Sequence, residues 1–140
     1  MSPEIKELTE QYFIKQATRF LTEFGEFYPF AATVNLNNEI EPVGVPFDDD
    51  DYPDAEEVVA EFENTLKSQF NNKEILSAAI CTDITFTSDD DEEEEIDALH
   101  IRYQNSARES VYVFVTYAID EENTIFFAEP FEEEGTLHLF

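Results

Sequence analysis

Residues 74–87 read EILSAAICTDITFT, and their alternation decides the fold. Leu76, Ala78, Ile80, Ile84 and Phe86 fall on one side of an extended chain, with Ile75, Ala79 and Cys81 on the other. Side chains of a strand point alternately to its two faces. A strand apolar on both sides is expected in the middle of a sheet, with both faces at least partly covered.

The segments before it supply the covers. Asp54, followed three residues later by Glu57, makes a capping-box pattern. Ala55, Val58, Val59, Phe62, Leu66 and Phe70 then recur at helical spacing until Asn71 and Asn72 stop the helix. An earlier helix is expected over residues 3–24, with Ile5, Leu8, Tyr12, Phe13, Ala17, Phe20, Leu21 and Phe24 as its apolar stripe. Ser2 can cap it, Pro3 suits its first turn, Glu4 and Glu7 suit its positive end, and Gly25 ends it. Between the helices, Phe30, Ala32, Val34 and Leu36 alternate with Ala31, Thr33 and Asn35. Asn37 and Asn38 tolerate the positive φ of a tight turn, and Pro42 marks the return strand over 39–45 as an edge.

After the central strand the chain reads as further sheet. Strands are expected over 96–104 and over 111–119, the most β-prone stretch, with another over 124–128. The order α-β-β-α-β-β-β predicts one acidic α+β domain spanning residues 1–140. In it, two helices pack on one face of a mainly antiparallel five- to six-stranded sheet.

Charge constrains the surface as strongly as apolar pattern constrains the core. The chain has 34 Asp and Glu against 7 Lys and Arg, a formal charge of −27. Its 14 Phe and 6 Tyr supply the bulk for a core, which separates it from disordered acidic tails. Nucleic acids and anionic membranes are held by Lys and Arg, so direct binding to either is not expected. No long apolar run suits a membrane span, and the opening Ser2, Pro3, Glu4 does not read as a signal peptide. With Cys81 as the only thiol, a cytoplasmic location is the expectation. The many Phe, Ile and Asn argue against adaptation to high internal salt as the source of the charge.

Three runs concentrate the carboxylates: four in residues 48–51, seven in 89–95 and three in 132–134. The other 20 acids still leave −13. Such runs keep a surface solvated, and they also steer basic partners. The first two are therefore the candidate partner-binding residues: Asp48, Asp49, Asp50, Asp51, Asp89, Asp90, Asp91, Glu92, Glu93, Glu94 and Glu95. Residues 48–51 lack the alternating ligands, turn Gly and distal Glu of a calcium loop.

Catalytic signatures are missing. His100 and His138 form no HExxH pattern and, with Cys81, no zinc spacing. The three glycines, Gly25, Gly44 and Gly135, are too scattered for a phosphate loop. His100, alternating with Leu99 and Ile101, belongs to the more polar face of its strand, and Cys81 in its apolar strand reads as a buried, inert thiol. No catalytic residue, cofactor or metal is expected.

The corner Glu23-Phe24-Gly25-Glu26-Phe27-Tyr28-Pro29-Phe30-Ala31, with Asn37-Asn38-Glu39-Ile40-Glu41-Pro42-Val43 after it, resembles a family of small uncharacterised bacterial proteins. These open with a helix, a "GxFxPF" corner and a hairpin. Ala79-Ile80-Cys81-Thr82-Asp83-Ile84 and Ile96-Asp97-Ala98-Leu99-His100-Ile101 resemble later strands of that family, while Val115-Thr116-Tyr117 departs from its usual Pro-Tyr. The resemblance implies a bacterial, intracellular single domain and brings no reaction with it. In build, such domains are similar to immunity proteins that neutralise toxins.

These readings converge on a non-catalytic, highly acidic domain that docks a basic protein, with the immunity-type protein as one form. The rivals are a small enzyme or ligand-binding domain whose pocket would include His100, a DNA-mimic inhibitor, and a dimer joined through its aromatics.

Overall fold

A computed structural model describes residues 3–24, 29–43, 55–87, 95–106, 109–122 and 124–135. Helix α1 (Pro3–Phe24) is followed by strands β1 (Phe30–Asn35) and β2 (Ile40–Val43), then helix α2 (Ala55–Asn71). Five further strands follow among the described residues: β3 (Ile75–Thr87), β4 (Glu95–Asn105), β5 (Ser110–Ile119), β6 (Ile125–Phe127) and β7 (Phe131–Glu134). Every pairing is antiparallel, in the order β2-β1-β3-β4-β5-β6, with β7 also on β5.

The protein is thus α+β, as its sequence pattern predicts, but two expectations are corrected. Among the described residues the sheet has seven strands, not five to six. The strand not anticipated is β7, whose residues Phe131, Glu132, Glu133 and Glu134 are all exposed and carry no apolar alternation. It continues β6 along the same edge of β5. Tyr117 faces Phe127 and Phe114 faces Phe131, so three residues lie opposite two. That extra residue is a bulge at 128–130, where Pro130 has no N–H to offer the ladder. Past β7, the Gly135 N–H donates to the Ser110 carbonyl at 3.2 Å. A Cβ on Gly135 would lie 2.8 Å from backbone atoms of Ser110 and Val111, so the close approach requires glycine.

The second correction concerns the helices, which cover opposite faces of the sheet rather than one. From α1, Phe13, Ala17 and Leu21 pack with Ala32, Ala79, Cys81, Leu99, Ile101, Val113 and Val115. From α2, Val58, Phe62, Leu66 and Phe70 pack with Ala31, Ala78 and Ile80. Ala31 and Ala32, Ala78 and Ala79, and Ile80 and Cys81 are chain neighbours, so the two clusters lie on opposite sides of β1 and β3. The physical reason is the two-sided apolar pattern of β3. Each face has to be removed from water, and one layer of helix reaches only one face.

Both helices use an i, i+4 stripe narrower than the sequence suggests. In α1 the buried row is Thr9, Phe13, Ala17 and Leu21, while Leu8, expected in the stripe, is 52% exposed. This helix crosses its face from β7, where Lys6 pairs with Glu132, to β1, where Phe20 meets Phe30 edge-on at 5.5 Å. The α2 helix ends in a Schellman motif: Glu74 N–H donates to Gln69 O at 2.9 Å and Lys73 N–H to Phe70 O at 3.0 Å. Lys73 takes φ 57°, the left-handed position normally filled by glycine.

Three hairpins close with one device. At 35–39, 105–109 and 120–124 the first residue's N–H donates to the carbonyl four residues on, at 2.9, 3.1 and 3.0 Å. The side-chain Oδ1 of Asn35, Asn105 or Asp120 accepts the N–H of that same distant residue. Asn38 sits at φ 64°, as expected of the Asn37 and Asn38 turn, and Pro42 lies on edge strand β2.

Replacing Lys73 by Gly removes the Cβ strain of the left-handed cap. This should stabilise the protein by about 0.5–1 kcal/mol in urea unfolding. By contrast Phe62→Ala, which empties a fully buried site, should cost about 3–5 kcal/mol.

Candidate functional site

Of the candidate partner-binding residues, the described part of the chain includes Glu95, the first residue of β4, exposed and opposite Thr87. Asp48, Asp49, Asp50, Asp51, Asp89, Asp90, Asp91, Glu92, Glu93 and Glu94 lie outside the described residues, as does His138. Their anchors are informative nonetheless. The helix α2 runs antiparallel to β3: its Glu56 and Val59 share a cleft with Thr82 and Asp83, and its Phe70 packs near Ile75. The chain therefore enters α2 at the same end of the sheet at which β3 stops and β4 begins. Asp97 faces Tyr117, so the 120–124 hairpin, with Asp120, Glu121 and Glu122 exposed, stands at that end too. Glu56, Glu57, Glu95 and 120–122 thus gather on one end.

Little of this charge is neutralised. The ion pairs among the described residues are Lys6 with Glu10 and Glu132, Arg19 with Glu23 at 3.6 Å, and Arg102 with Glu63 at 3.6 Å. None involves the acidic end. Exposed carboxylates this dense repel one another and draw cations over a range set by the Debye length, roughly 8 Å at physiological salt.

A cleft of about 400 Å³ opens between α2 and the sheet, lined by Pro29, Glu56, Val59, Ala60, Glu63, Thr82, Asp83 and Arg102. Glu56, Val59, Ala60 and Glu63 form one flank of α2, beside its buried row. Thr82 stands on β3 just beyond Cys81, the last β3 residue paired with β1, and Arg102 stands on β4 opposite Ile80. The Arg102 side chain is 19% exposed, and its Nε is buried with no hydrogen-bond partner among the described residues. Arg102 and Glu63 were not singled out by sequence reasoning. The available signal was a base at an alternating strand position, in a chain with 7 bases.

His100 does not line this cleft. Its ring stacks on Phe114 at 4.6 Å and 6°, and meets Tyr112 edge-on at 4.9 Å. Phe114 in turn stacks on Phe131 at 5.2 Å, giving an aromatic ladder across β4, β5 and β7. Burial, followed by the nearby Arg102 charge, lowers the His100 pKa to about 4, so the imidazole is neutral at pH 7. Its Nε2 is buried without a hydrogen-bond partner among the described residues.

On the other face, the Tyr117 hydroxyl donates to Asp83 Oδ1 at 2.7 Å. Burial and then this bond to a carboxylate hold the phenol well above its usual range. Cys81 is fully buried, and burial, then Asp83, push its thiol well up, which makes it unreactive as expected. Among the described residues no group of three or more His, Cys, Asp or Glu is placed to hold a metal, and no helix is long and apolar enough to cross a membrane.

Comparison with protein-family models, curated proteins and solved structures gives no match, so the resemblance drawn from the 23–31 corner gains no support from them. What the site can do rests on its geometry.

The depressed His100 pKa makes a pH prediction with a definite sign. Above about pH 6.5 both folded and unfolded chains hold His100 neutral, and its contribution to stability is complete. Between 6.5 and about 4 only the unfolded chain takes the proton, so this contribution is lost as pH falls. Carboxylate protonation acts over the same range, so the His100 part is read as a difference. His100→Phe should flatten the pH dependence of unfolding between 6.5 and 4 relative to wild type. The imidazole resonances of His100 should titrate near 4.

Proposed function

We propose that this protein is a non-catalytic docking domain that binds a basic protein partner through its acidic end. One observation carries the reading. The exposed carboxylates of α2's first turn, Glu95 and 120–122 share one end of the sheet, and no described base pairs with them; in sequence, residues 48–51 shortly precede α2 and 89–94 directly precede Glu95. A charge of −27 is costly to keep on a folded surface through self-repulsion, and a cationic partner relieves that cost. Complementary charge of this density raises association rates by roughly 10 to 10³-fold at low salt. Rigid support suits the role: the end is the rim of a sheet covered on both faces, so a partner meets preset charges. A toxin-neutralising immunity-type protein, acting in the cytoplasm on a basic toxin, is one form such a domain takes.

The test is capture of a partner from the source organism's lysate at physiological ionic strength, with release near about 1 M salt, where screening shortens to ~3 Å. A stoichiometric basic protein should be retained and then released. Changing 48–51 and 89–95 to Asn and Gln should slow its association about tenfold or more and flatten the salt dependence. Unchanged association by both variants would overturn the proposal.

A further inference from the structure

General acidity does not account for the cleft beside α2. Arg102 is one of 7 bases in the chain, and it is set mostly out of water in a wall of that cleft. Taking a guanidinium from water is unfavourable unless its donors are used. Here they are under-used. The contact to Glu63 is long, at 3.6 Å, and Nε has no partner among the described residues. A planar guanidinium in this state is suited to accept a carboxylate.

The rest of the cleft supplies a second specification. Glu56 and Glu63 lie seven residues apart on one flank of α2, two turns or roughly 10 Å along the axis. Between them the cleft is lined by Val59 and Ala60, with Pro29 also on the wall. One end therefore offers a guanidinium and a carboxylate together, the middle is apolar, and the far end offers a carboxylate. The two carboxylates, Glu56 and Glu63, outnumber Arg102, which disfavours any ligand with net negative charge.

We propose that this cleft binds a free amino acid with a basic side chain. Its α-carboxylate lies on Arg102 and its α-ammonium on Glu63. Its methylenes run along Val59, Ala60 and Pro29, and its distal cation reaches Glu56. An extended lysine- or arginine-sized molecule has the length for both ends. The volume, about 400 Å³, lies within the usual range of small-molecule sites, about 300–1,000 Å³.

The experiment is an amide-shift NMR titration of the full chain with four probes: L-arginine, agmatine, which lacks the carboxylate, L-norvaline, which lacks the distal cation, and L-glutamate. L-Arginine should give saturable shifts confined to α2 near residues 56–63 and to the strands around Thr82 and Arg102. Each of the other probes should bind about tenfold or more weakly. Arg102→Gln should erase the preference for L-arginine over agmatine. If that variant fails to fold, E56Q, at an exposed helix position, carries the decision by erasing the preference for L-arginine over L-norvaline. Agmatine binding wild type as tightly as L-arginine would overturn the proposal, because attraction of any cation would then suffice. So would shifts that spread over the acidic surface without saturating, or no shift at all.

Discussion

The two-sided burial of β3 is the constraint on which the rest of the molecule depends. Ala78 and Ile80 face α2, while Ala79 and Cys81 face α1, and all four are 2% exposed or less. A strand in this position has no solvent side, so both helices are needed. Removing either helix would return an apolar sheet face to water, at about 25 cal/mol for each Å² uncovered. The alanines at 31, 32, 78 and 79 also matter for distance. Small side chains on neighbouring strands leave room for Phe13 on one face and Phe62 on the other, each fully buried.

This central packing lets the periphery carry its charge. The negative residues are spread over helix flanks, hairpins and edge strands, where water and counter-ions surround them. Both sheet edges are marked against pairing with other chains. Pro42 interrupts β2, and on the far side Pro130 breaks the β6 and β7 line before the exposed Glu132, Glu133 and Glu134. Self-association through an edge would set glutamates against glutamates. Arg102 departs from this pattern because it brings positive charge inward, beside the carboxylates of the α2 flank.

Legibility in the sequence followed the strength of periodicity. The helix over 3–24, the edge proline, the Asn38 turn and the central character of β3 could all be read, because each rests on local chemistry that tertiary packing does not override. The side on which each helix packs was misread, although the decisive signal was present. Ala79 and Cys81 face one way and Ala78 and Ile80 the other, and a sheet apolar on both faces requires covers on both. β7 escaped because Glu132, Glu133 and Glu134 look like a solvated run, and only its pairing with Val111–Phe114 of β5 makes it a strand. The cleft was hidden for a different reason. Glu63 and Arg102 are distant in sequence, and nothing in either segment announces the other.

The order of strands also bears on how the chain finds this structure. β3, β4, β5 and the β6–β7 edge succeed one another both in sequence and in the sheet, and the turns at 105–109 and 120–124 are closed by their own Asn105 and Asp120 side chains. Closing short loops costs little chain entropy, whereas Phe30 must find Cys81 across the whole of α2. The meander is thus a template that can set its register alone, and the β1–β2 hairpin docks onto its exposed β3 edge afterwards. β1 completes the sheet on which both helices close, with Ala32 on the α1 side and Ala31 on the α2 side.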